Sequence, residues 1–200
     1  MFHVEVVANI QDFVSNLDSV VATQIIIDID RANNFQKNAE EIYFILTSGR
    51  LVKPKMSHRK TVAVSNNVAT ISGWDSLNIK WKRTIKQNNG ISLEQDESKV
   101  KEYYQNFQTE FNRYGYQIKV WNLDPKDDLG KHYRSHAEKQ ISVIQSDNSI
   151  GVSRGMCEED CYPYFCALAQ IRQQNIIIAD PNGIWLFYSH GQVKFLYHIL

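Results

Sequence analysis

Four residues, Asp180-Pro181-Asn182-Gly183, narrow the choice of fold more than any other stretch of this chain. They are a tight-turn signal set between two apolar runs, residues 175–179 and 184–188. A link this short forces the two strands antiparallel, because parallel neighbours need a long crossover. A second hairpin reads just as clearly at 61–71, where two β-branched runs flank Ser65-Asn66-Asn67. Asparagine tolerates the left-handed conformation that such turns require.

Helical patterns lie between these hairpins and before them. From 11 to about 46 apolar residues recur at helical intervals (Phe13, Leu17, Val20, Val21, then Phe35, Ala39, Ile42, Ile45 and Leu46). This pattern predicts two helices, broken at 28–34 and ended by Gly49. Residues 99–114 carry the same period through Val100, Tyr103, Tyr104, Phe107 and Phe111. Further on, 136–145 reads as a short helix, 149–152 as a strand and 157–174 as a second helix. Residues 116–121 read as a strand, 90–98 as a loop and 124–130 as a turn-rich approach to the 136–145 helix. The ends are short elements: a strand or lead-in at 1–7, and a strand or helix stub at 195–200. Strands interleaved with helices make this an α/β chain.

Composition sets the limits. Two hundred residues with no net charge suit one generous domain, or a compact domain with an accessory segment. All three cysteines fall within 157–166. A disulfide framework would spread them out, so the clustering favours a reducing compartment and a metal or catalytic use. Gln24-Ile25-Ile26-Ile27-Asp28-Ile29-Asp30 is too short and too acidic to span a bilayer, so no membrane partner is expected. The N-terminus shows no classical signal peptide. The expected location is cytoplasmic, or inside a target cell to which the protein is delivered.

The chemistry is concentrated in two segments. Arg134-Ser135-His136-Ala137-Glu138-Lys139-Gln140 is answered by Gly155-Met156-Cys157-Glu158-Glu159-Asp160-Cys161. One His and two Cys suit a tetrahedral zinc ion whose fourth corner is water, with Glu138 moving protons rather than ligating. A structural site would need a fourth protein ligand, and only His132 and Cys166 lie near in sequence, neither well placed. Cys166, inside an apolar run, reads as a buried small hydrophobe. The N-terminus of the 157–174 helix would lower the thiol pKa values through its backbone N–H groups.

His136-Ala137-Glu138-Lys139-Gln140, the paired cysteines and the closing stretch 176–187 resemble the cytidine deaminase-like superfamily. Within it the similarity is to the bacterial toxin deaminases, especially the single-strand DNA deaminase toxin A-like family, and to the DYW-type RNA editing domains. It covers about the last third of the chain. The resemblance implies a three-layer α/β/α sandwich with a mixed central sheet whose last two strands are antiparallel. It divides the chain into a helical N-terminal segment (1–50) and a deaminase domain (51–200) with an insertion at about 75–130. It implies Zn2+ on His136, Cys157 and Cys161, and a catalytic Glu138 that shuttles protons during attack at C4 of a cytosine. It also implies that backbone carbonyls at Gly155 and Met156 hold the exocyclic amine. One departure stands: the family's cysteines are spaced C-x-x-C, whereas three residues separate Cys157 from Cys161. Either the first lies in a loop and the second in the first helical turn, or another ligand replaces Cys161.

Residues 50–86 hold nine cations against the single acid Asp75, with Trp74 and Trp81 interleaved. Cations that track phosphates beside aromatic faces suit single-stranded nucleic acid. A solvated basic face with structural tryptophans is the plainer reading. Asn66, Asn67 and Trp74 are candidates for base contact. The expectation is therefore a zinc-dependent cytosine deaminase acting on single-stranded DNA in preference to RNA, with an immunity protein as a further partner. An RNA or free-nucleoside deaminase, and a degenerate fold kept as a binding module, are the alternatives.

Overall fold

The computed structural model describes residues 4–48, 60–73, 79–117 and 136–197. Its centre is a mixed eight-stranded sheet. In chain order the strands are β1 (Val4–Val7), β2 (Val62–Ser65), β3 (Val68–Ile71), β4 (Ser92–Leu93), β5 (Ser149–Val152), β6 (Ile176–Asp180), β7 (Gly183–Phe187) and β8 (Val193–Tyr197). In space the order is β1-β8-β7-β6-β5-β2-β3-β4. The β1–β8, β5–β6 and β3–β4 pairs are parallel and the other four antiparallel. Both hairpins form where the turn residues place them, with Asn66 at φ 52°.

The helices are α1 (Ile10–Ser15), α2 (Ser19–Ser48), α3 (Ile79–Asn89), α4 (Glu97–Asn106), α5 (Gln108–Arg113), α6 (Ala137–Ile144) and α7 (Cys161–Arg172). They cover both faces of the sheet. Phe13 of α1 and Ile25, Ile29 and Ala32 of α2 pack on Ile177, Ala179, Ile184 and Leu186. The later turns of α2 meet Val62, Val64, Ala69 and Ile71 beside Ile85 of α3. On the opposite face α4 to α7 bury Tyr104, Phe111, Ile141, Phe165 and Leu168 against Ala63, Ile150, Ile176 and Ile178. Burial from both sides explains the unbroken Ile176-Ile177-Ile178-Ala179 run, since alternate residues feed opposite cores.

Three expectations need correction. The break foreseen at 28–34 is absent, and α2 runs unbroken for 30 residues. Its buried positions, Ile25, Ile29, Ala32, Gln36, Ala39, Ile42 and Leu46, keep a continuous stripe, while Asp30 and Asn34 are exposed. Packing of that stripe overrides the weak helix propensity of the polar residues between. The interruption lies earlier, where Asp18 accepts the Val20 N–H at 2.9 Å and opens the helix. Second, the helix read at 157–174 begins only at Cys161, and residues 79–89, for which no element is expected, form α3. Third, 90–98 contains β4 and the start of α4. The strand read at 116–121 and the turn at 124–130 fall largely or wholly outside the described residues, as do Trp74 and His132.

Gly151 lets α2 lie close on the sheet. A Cβ there would overlap the backbone of Phe35 and Gln36. No helix of the described residues is long and apolar enough to cross a membrane.

Candidate metal centre

Two helix starts converge at one end of the sheet. His136 is the residue before α6, with extended backbone angles, and its carbonyl accepts the Lys139 and Gln140 N–H groups at 3.1 Å. The position of α6 is fixed from β3: Thr70 donates to the Ala137 carbonyl at 2.7 Å, and the Gln140 amide donates to the Ile71 carbonyl at 2.9 Å. Cys161 is the first residue of α7, and Cys157 precedes the turn that leads into it. The three-residue spacing is thus absorbed before the helix begins, the first of the two accommodations that the sequence left open.

His136 Nδ1 lies 3.1 Å from Cys161 Sγ. Cys157 is half-buried. Interaction with the Cys161 side chain draws the Cys157 pKa down to about 6; burial opposes the shift, and backbone N–H groups of Cys161, Asp160 and Glu159 assist it. Burial pushes the Cys161 thiol well up, and its interaction with Cys157 adds to this. Burial also holds the His136 imidazole below its ordinary pKa, against the pull of Glu138. Glu138 is 3% exposed. Burial raises its pKa, while His136 lowers it and the charge of Cys157 raises it further.

A neutral imidazole and the readily ionised Cys157 thiol suit metal binding, whereas Cys161 would give up its proton only to a bound ion. Among the described residues the compact donor group is His136, Asp160 and Cys161, whose ligand atoms lie within 4.8 Å of one another. Cys157 stands outside that group, against Cys161. Asp160 had not been singled out in the sequence, and it is already engaged. Tyr116 donates to one carboxylate oxygen at 3.0 Å, and the Lys139 ammonium pairs with the other. Lys139 also donates to the Tyr116 oxygen at 2.7 Å. Lys139 and Asp160 are both completely buried. No local sequence signal marks the pair; α6 offers no exposed position from Ala137 to Val143, so a lysine there must find an internal partner.

The loop before Cys157 is held by the β6–β7 turn. The buried Asp180 carboxylate accepts the N–H groups of Met156 at 2.9 Å, Asn182 at 2.7 Å and Gly183 at 3.2 Å, and the Trp185 indole at 2.9 Å. Gly155 is exposed, and a Cβ there would come within 2.6 Å of the Asn182 amide.

Other candidates are not brought here. Asn66 and Asn67 sit at the tip of the β2–β3 hairpin, beside the start of β5, where Ser65 donates to the Ser149 carbonyl at 2.9 Å. The centre lies at the opposite end of those strands, near Ile71 and Val152. Trp81 of α3 packs against the Leu46 and Ile85 cluster on the other face of the sheet. Lys80, Lys82, Arg83 and Lys86 of α3 are exposed. Cys166 is buried in the core, as expected. A scan of the sequence against protein-family models finds no match, and no curated protein matches it significantly.

Proposed function

We propose that the chain is a zinc-dependent deaminase of cytosine in single-stranded nucleic acid, with DNA as the preferred substrate. The observation that carries this reading is the meeting of His136 Nδ1 and Cys161 Sγ at 3.1 Å, with the Cys157 thiol against Cys161 and the Glu138 carboxyl buried beside them. The order of elements supports it as well: a hairpin, then, after an insertion of α3, β4, α4 and α5, the His–Glu helix, a strand, the Cys helix and a second hairpin. This is the sequence of parts expected of the cytidine deaminase-like sandwich.

His136, Cys157 and Cys161 would hold the ion. Asp160 is the weaker third donor, because recruiting it would strand the buried Lys139 charge. Zinc in such a site supplies a water acidic enough to ionise near neutral pH. Glu138 is the proton carrier: its raised pKa lets it take a proton from water and return it to the departing amine. Gly155 and Met156 would present backbone carbonyls to the exocyclic amine, on a loop that Asp180 fixes. The exposed cations of α3 lie on the other face of the sheet and are given no substrate contact. The preference for DNA rests on the resemblance to the toxin family.

The test is to incubate the zinc-loaded protein with a cytosine-containing oligonucleotide as DNA and as RNA, beside free cytidine, sequencing the oligonucleotides for C-to-T changes and separating cytidine from uridine by chromatography. Conversion should be found in the DNA and should vanish in Glu138→Gln while zinc stays bound. A parent protein that converts none of the three overturns the proposal.

A further inference from the structure

We infer that Lys139 keeps the metal site open by holding the Asp160 carboxylate away from the ion, an inference that rests on the metal-site reading above. The Asp160 carboxylate lies within 4.8 Å of the donor atoms of His136 and Cys161. A carboxylate so close is a ready zinc ligand, and a fourth protein ligand closes a zinc site and leaves it structural. Both Asp160 oxygens are occupied instead, one by the Tyr116 hydroxyl at 3.0 Å and the other by the Lys139 ammonium.

Lys139 is completely buried, 5.1 Å from the ring centroids of both Tyr116 and Tyr164. Its charge has no access to water. Transfer of Asp160 to the ion would therefore leave an uncompensated ammonium in the core, which is strongly unfavourable. Glu138 and Lys139 are neighbours on α6 with separate duties. The first serves the reacting atoms. The second is a positioning residue that acts through Asp160, the residue just before α7.

The experiment uses Co2+ as the metal and azide as a probe of a free coordination position, read by visible absorption on the full chain. Parent protein should bind one Co2+, and azide should shift its spectrum. In Lys139→Met the affinity for Co2+ should rise by about tenfold, a change of the size that groups holding a ligand's position produce. The azide response should be lost as Asp160 fills the vacancy. The double variant Lys139→Met/Asp160→Asn removes both charges, so it keeps the inference testable if the single variant does not fold. It should bind Co2+ and answer azide as the parent does. Unchanged affinity and azide response in a folded Lys139→Met overturn the inference alone, and so does loss of Co2+ from a folded double variant. A parent that takes up no Co2+ overturns the metal-site reading together with it.

Discussion

The Met156 N–H donates to the Asp180 carboxylate at 2.9 Å, so the loop that enters the candidate metal centre is anchored to the turn between two strands. Asp180 is buried and also takes the Trp185 indole and two turn N–H groups. Asp180→Ala leaves several buried donors unsatisfied, at about 1–3 kcal/mol each. A loss of roughly 3 kcal/mol or more should appear in urea unfolding. Activity should fall further than in Asp180→Asn, which keeps an acceptor oxygen.

A methyl group at Gly151 has no room, because the atoms it would meet belong to the α2 backbone and cannot rotate aside. Gly151→Ala should destabilise the fold by about 3 kcal/mol, at the upper end for overpacking. An equilibrium unfolding curve with the parent midpoint would contradict this.

Metal should stabilise the folded state alone, because its donors come together only there. At a hundredfold excess over the dissociation constant the gain is about 2.7 kcal/mol. Thermal unfolding with and without Zn2+ measures it. Cys161→Ser and His136→Ala should abolish the increment. An increment that survives both changes would place the ion elsewhere.

Cys157 should be the reactive thiol of the metal-free protein. Its pKa is down at about 6, against about 8.5 for a free cysteine, so thiolate dominates above pH 6 and declines below it. Alkylation by iodoacetamide should rise with pH and level off near pH 7. Cys161 and Cys166 are buried with raised pKa values and should stay unlabelled. Peptide mapping across pH decides. Preferential labelling of Cys166 would refute the assignment.

What could be read from the sequence was local. Asp180-Pro181-Asn182-Gly183 and Asn66-Asn67 carry their turn chemistry within a few residues, and both hairpins followed from them. His136 and Cys161 belong to short patterns at the starts of their helices. What escaped depends on packing between distant segments. α3 buries only Ile85, too little to leave a periodic signal. The unity of α2 depends on a sheet whose strands come later in the chain. Lys139 and Asp160 each look like ordinary surface residues until α6 and α7 are placed side by side. Asn66 and Asn67 form the hairpin tip as read, with Asn66 left-handed, but that tip lies away from the candidate metal centre.

Helix α2 touches β2, β5 and β6, strands that precede, separate and follow the candidate ligands His136 and Cys161. A fragment starting at residue 60 would retain every proposed ligand yet present Val64, Ile177 and Leu186 to solvent. Such a surface invites self-association. Excising α2 to obtain a shorter chain would therefore trade a folded protein for an aggregate; shortening should begin elsewhere.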